Sequence, residues 1–245
     1  MYAIVLAGGY AKRLWPLTLD TPKALLPIAG KPILDYILEK LEALNPPLTR
    51  IVLSTNQHFQ PQFKQWLSSR PYRNVVLLPD ESDSEVQKPG AIKAMANITA
   101  FADEDDVLVI AGDGMFNDDL SGMMKAFYKK KTPVVAVYPV KSLEEAKRCA
   151  VISADKTGKI TAFAEKPKEP KTTQVCGAVY AFPKTVKNRL AEYLAEELPA
   201  DQPGRFVEWL YKKEPVYGYF LKDYLWDIGT HEAYKECNEH FGNCK

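Results

Sequence analysis

At 245 residues and 46% hydrophobic, the chain is long enough to bury one sizeable α/β core, and residues 1–245 read as a single domain. A formal net charge of +1 excludes general attraction to nucleic acid or to an anionic membrane, so a local cation cluster should serve a small anionic ligand. No apolar run approaches the ~20 residues of a membrane span, and Cys149, Cys176, Cys237 and Cys244 lack the spacing of a zinc site or disulfide framework.

In chain order, short apolar runs alternate with amphipathic stretches. That pattern predicts a mostly parallel central sheet with helices on both faces. Strands are expected at 2–7, 50–54, 74–78, 107–111, 133–138, 160–165, 175–182 and 215–221. Pro32 at a first helical position, followed by Ile33, Ile37, Leu38, Leu41 and Leu44, predicts a helix that stops at Asn45-Pro46-Pro47. Pro183 opens another helical stretch, and Thr230 can cap a final helix from His231. The region 143–181, rich in turn and β signals, predicts a smaller β-rich lobe.

The first strand runs into Gly8-Gly9-Tyr10-Ala11-Lys12-Arg13, with Lys23 further on. Two glycines let consecutive N–H groups converge on an anionic oxygen, and Arg13 and Lys23 add full positive charge. A Rossmann turn is excluded because Tyr10 breaks Gly-x-Gly-x-x-Gly and Pro16 lies where its helix would run. A Walker loop is excluded because Gly30-Lys31 and Gly158-Lys159 are followed by Pro32 and Ile160, not Ser or Thr. A second site candidate is Gly112-Asp113-Gly114, a carboxylate at the carboxyl end of an apolar strand, where open α/β sheets bind ligands.

The run from Gly8 through Arg13-Leu14-Trp15-Pro16-Leu17-Thr18 to Pro22-Lys23 resembles the signature of the sugar-phosphate nucleotidylyltransferases. It departs at Ala11, where that family usually has Gly, which removes one position of backbone freedom from the loop. Further matches are Glu165-Lys166-Pro167, Cys176-Gly177-Ala178 and Trp226-Asp227-Ile228-Gly229-Thr230. Together the resemblance spans nearly the whole chain, and no fused left-handed β-helix is expected after the last motif.

The resemblance implies an enzyme that joins an NTP to a sugar 1-phosphate, a hexose 1-phosphate being the expectation, and releases pyrophosphate. It implies that Leu6, Ala7, Gly8 and Gly9 meet the nucleotide, that Arg13 and Lys23 act on its phosphates, and that Asp113 and Asp227 hold Mg²⁺. On the sugar side it implies Glu165 at the hydroxyls, Lys166 at the phosphate and Gly177 at the ring. Adjacent strand residues face opposite ways, so Glu165 and Lys166 can reach one ligand only if the chain bends there. The scarcity of histidine suits this chemistry, since a phosphate nucleophile is already an anion and needs no general base.

By the same resemblance Glu85, Gln87 and Gly90 approach the base. A carboxylate at position 85 only accepts hydrogen bonds, which complements the N1–H and amino group of guanine and points to GTP. Gln87 keeps dTTP and UTP open. A choline-phosphate type cytidylyltransferase and a regulatory subunit without turnover remain alternatives on the same scaffold. No nucleic-acid or membrane partner is expected, localisation should be cytoplasmic, and aromatics near Trp209 and Tyr211 offer a surface for a homo-oligomer.

Overall fold

The computed structural model describes residues 1–82, 89–101 and 105–243. Glu85 and Gln87 lie outside the described residues, as does Cys244. The expected α/β architecture with a mostly parallel central sheet is present, and the chain divides into two compact units.

The first unit comprises Met1–Pro89, Ile110–Phe116 and Leu225–Lys245. Strands Tyr2–Leu6, Ile51–Thr55 and Val75–Pro79 pair in parallel, with Ala3 opposite Ile51 and Ile51 opposite Val75. The first two are buried almost throughout, as runs of Ile, Val and Leu at the centre of a sheet require. Helix Ile33–Glu42 buries Ile33, Ile37, Leu38 and Leu41 of the predicted stripe and Leu34 besides, while Leu44, the last residue of that stripe, is buried beyond the end of the helix. Pro32 caps this helix in an extended conformation and does not open it, and the helix stops at Glu42, before the prolines. Within the stripe lies one buried charge, Asp35, 5% exposed. Arg70 donates to it through Nε at 3.1 Å and Nη2 at 2.8 Å, which neutralises the carboxylate, and the Tyr72 hydroxyl lies 3.4 Å away. The final helix, His231–Gly242, is capped by Thr230, whose hydroxyl accepts from the Ala233 N–H at 3.2 Å.

The second unit comprises Gly90–Val109 and Asn117–Tyr224. Strand Gln174–Phe182 pairs antiparallel with Val134–Pro139 and with Ala150–Ala154, which in turn pairs with Ile160–Glu165. This is the expected β-rich region. Ala150–Ala154 was not among the predicted strands, because its alanines and serine carry a weak β signal. The expected strand at 215–221 is shorter, Tyr217–Phe220, and runs parallel to Val134–Pro139. Helices Val186–Ala195 and Pro203–Leu210 carry Tyr193, Phe206 and Trp209, whose rings meet one another at centroid distances of 5.6 to 6.0 Å, and Phe206 also meets Phe182 of the sheet at 5.8 Å. Offset and edge-to-face aromatic packing of this kind fills a core densely.

Candidate active site

In the first unit the strand Tyr2–Leu6 ends where the glycine loop begins. Ala7 still donates to Ser54 O at 2.8 Å, and Gly112 donates to Leu6 O at 2.8 Å. A Cβ on Gly112 would stand 2.9 Å from that same carbonyl, so glycine is what lets the backbone before Asp113 lie against the end of the first strand. Gly8 and Gly9 meet a different need. Neither takes the left-handed conformation, and added Cβ atoms would find no atom closer than 3.5 Å at Gly8 and none within 4 Å at Gly9. Their missing side chains leave open space above the loop.

The left-handed residue of the loop is Ala11, with φ 47° and ψ 42°. This is the position where the sequence has lost its glycine, and an L-residue there carries a steric penalty. The loop holds the shape because Leu14 N and Thr18 Oγ1 both donate to Ala11 O at 2.9 Å. Asn56 secures the other end. Fully buried just past strand Ile51–Thr55, it donates Nδ2–H to Gly8 O at 3.0 Å and accepts from Phe59 N at 2.8 Å. Sequence reasoning missed Asn56, whose one available signal was an amide directly after an apolar strand.

Above the loop lies a cavity of about 260 Å³ lined by Leu6, Ala7, Gly9, Arg13, Lys23 and Asp113 among others. Arg13 sits on the 3₁₀ turn Lys12–Leu14, and Lys23 opens the turn Lys23–Leu25 behind Pro22. Lys23 Nζ donates to Asp113 Oδ2 at 2.8 Å and stands 3.6 Å from Asp227 Oδ1. What joins the two carboxylates is a short antiparallel pairing of Gly114–Met115 with Trp226–Asp227, in register Asp227 to Gly114. Arg13 is exposed and forms no ion pair among the described residues. A Cβ on Gly229 would stand 3.2 Å from its Nη2, so Gly229 makes room for the guanidinium.

The Asp227 carboxyl is held above the usual carboxylate range, first by desolvation in the surrounding protein and then by repulsion from Asp113, against the pull of Lys23 and Arg13. Its side chain nonetheless keeps 69% of its surface open, so water screens part of this effect. An ammonium between two carboxylates shows that the pair accommodates concentrated positive charge. Two carboxylates are also what Mg²⁺ commonly takes from a protein when phosphates and water complete its octahedron.

Glu165, Lys166, Gly177 and Gly90 belong to the second unit. Strand Ile160–Glu165 ends at Glu165, and Lys166 turns left-handed, φ 51°, its N–H donating to Cys149 O at 3.0 Å. The bend that the Glu-Lys pair requires is therefore present. The Glu165 carboxyl is raised, by burial first, with Lys166 and Arg205 opposing. Gly177 lies where the register of Gln174–Phe182 slips against Val134–Pro139 between Cys176 and Tyr180, beside left-handed Ala178. Gly90 has φ 89°, and a Cβ there would stand 2.8 Å from Ala200 C. Packing against Ala200 thus already demands a glycine at that position.

A model of the nucleotidyl transferase family matches residues 2–243, and the chain belongs to that family. Among its relatives, the bifunctional protein GlmU of Methanocaldococcus jannaschii is 31% identical over 98% of this chain and 54% of its own length. Glucose-1-phosphate adenylyltransferase of Trichlorobacter lovleyi is 30% identical over 96% of this chain and 64% of its own. A Bacillus anthracis protein assigned as a glucose-1-phosphate thymidylyltransferase, crystallised with sucrose, superposes with a TM-score of 0.84 at 25% identity, covering 99% of this chain and 96% of that one. The chain spans about half to two thirds of the length of the curated relatives it matches.

Proposed function

We propose that the chain catalyses transfer of a nucleoside monophosphate from an NTP to a sugar 1-phosphate, with release of pyrophosphate. The observation that carries this reading is the convergence of Asp113 and Asp227 on Lys23, which together with Asp113 and Arg13 lines the cavity beside the glycine loop. A nonbridging oxygen of the sugar phosphate attacks the α-phosphorus, the bond to the pyrophosphate oxygen breaks, and the electron pair leaves with pyrophosphate. The catalytic demand is to bring two anions together and to stabilise charge on the transferring phosphoryl group. Arg13 binds the NTP phosphates and Lys23 the α-phosphate. Asp113 and Asp227 would hold Mg²⁺, which when bound supplies neutralisation of the phosphate oxygens. Glu165 and Lys166 bind the sugar hydroxyls and phosphate, and Gly177 passes close to the ring.

Glu85 favours guanine on the chemistry of its acceptor oxygens, while Gln87 would suit a pyrimidine. The relatives named above include an adenylyl- and a thymidylyltransferase, so the base is decided by assay. Each of ATP, GTP, UTP, CTP and dTTP is paired with the 1-phosphates of glucose, mannose, N-acetylglucosamine and a heptose in the presence of Mg²⁺, and pyrophosphate release is followed. No release with any pair would overturn the reaction class. Preference for GTP that weakens in Glu85→Gln, with UTP and dTTP spared, would support the guanine reading, and a wild-type preference for another base would end it. As further parts of the reading, residues 1–245 form one catalytic module, and the enzyme is cytoplasmic.

A further inference from the structure

Helix Pro203–Leu210 carries a glycine, Gly204, one residue inside its amino end, where helix propensity gives no reason for one. The space its missing side chain leaves is filled by Glu165. A Cβ built on Gly204 would overlap Glu165 Oε2 outright and stand 3.0 Å from Glu165 Cδ, while its next neighbour, Ala150 Cβ, is 3.4 Å away. The overlap is thus with the carboxylate end of one flexible side chain, not with backbone. Gly204 is itself buried, and the carboxylate it admits lies against the first turn of the helix, the end whose dipole favours negative charge.

We propose that Gly204 is a positioning residue for sugar 1-phosphate binding: its bare Cα is the seat that sets where the Glu165 carboxylate points. The inference rests on the reading that Glu165 binds the sugar. It also fits the place of Glu165 as the last residue of a strand, before a left-handed Lys166, since the strand end delivers the carboxylate to the helix and Lys166 then turns away from the strand path. Any side chain at 204 would push the carboxylate out while the helix, gaining propensity, stays formed.

The test is a double-mutant cycle of Gly204→Ala and Glu165→Ala, read as KM for the sugar 1-phosphate, KM for the NTP, kcat and thermal midpoint. Expected is a rise of ~10-fold or more in the sugar 1-phosphate KM of Gly204→Ala, with the NTP KM and thermal midpoint little changed, and no further rise when Gly204→Ala is added to Glu165→Ala. If Glu165→Ala raises that KM and Gly204→Ala does not, the role of Gly204 is overturned and the sugar role of Glu165 stands. If Glu165→Ala leaves the KM unchanged, the sugar reading of Glu165 fails, and the role proposed for Gly204 in sugar binding fails with it. The ¹³C titration of the Glu165 carboxyl then shows whether Gly204→Ala moved the carboxylate at all. Should Gly204→Ala not fold, recovery of the fold on adding Glu165→Ala supports the overlap, and no recovery overturns it.

Discussion

The Lys23 ammonium donates to Asp113 across 2.8 Å while keeping Asp227 at 3.6 Å, so one cation is shared by two carboxylates that come from distant parts of the sequence. The lysine side chain is only 11% exposed. In the proposed reaction this ammonium would meet a phosphate, with Asp113 and Asp227 the residues that would hold Mg²⁺.

Replacing Asp113 by Asn removes one of these two charges and leaves the amide unable to hold a divalent ion tightly. Turnover should fall ~10²-fold or more, with little change in the thermal midpoint, because the side chain is partly open and the loss is electrostatic. Pyrophosphate release across a Mg²⁺ titration checks this. Near-normal rates at saturating metal would remove Asp113 from the chemistry.

Arg13 borders the cavity and has room for its guanidinium over Gly229. Arg13→Ala should lower kcat/KM for the NTP by ~10²-fold, as expected for loss of a preorganised charge at a phosphoryl transition state. A defect confined to the sugar 1-phosphate would place Arg13 on the other substrate.

Ala11 sits at φ 47°, where an L-residue loses roughly 1–2 kcal/mol. Glycine would relieve that strain but costs about 0.5–1 kcal/mol of backbone entropy, leaving a net gain on the order of 0.5–1 kcal/mol. Ala11→Gly should therefore raise the thermal midpoint by roughly 1–4 °C for a chain of this size. A lowered midpoint in calorimetry would contradict the argument.

The Tyr72 hydroxyl is pushed up to about 12, by burial first and then by the negative charge of Asp35. The unfolded chain releases this proton near pH 10, whereas the folded chain keeps it until about 12. Between these values the unfolded state binds fewer protons, so stability should fall as pH rises through the window. Urea unfolding from pH 9 to 12 should show a shallower decline in Tyr72→Phe than in the parent. Equal slopes would mean that Tyr72 titrates alike in both states.

Local sequence carried much of the architecture. Buried strands such as 2–7 and 107–111 are legible because a β run between two layers must be apolar on both faces, and Asp113 is legible because a carboxylate after such a strand has nowhere to go but the strand end. The cap at Thr230 is legible for a similar reason, since a hydroxyl at that position satisfies an N–H one turn ahead. Family likeness was legible too, from a motif whose glycines, cations and prolines follow in fixed order.

Only the folded chain decided the relationships between distant residues. Nothing local to Asp227 specifies that it pairs opposite Gly114, because strand register is set by what the two segments meet after packing. Alanine has no preference for left-handed backbone, so the strain at Ala11 arises from the hydrogen bonds that Leu14 and Thr18 impose on it. Gly90 and Gly204 look alike in sequence, yet one answers to the backbone of Ala200 and the other to the carboxylate of Glu165. The sequence by itself determined which segments become strands and which residue types could handle phosphate, since both depend on short-range pattern and side-chain chemistry. Which carboxylates share a cation, and which glycines are seats for a neighbour, depended on excluded volume and hydrogen bonding between segments that meet only in the tertiary structure.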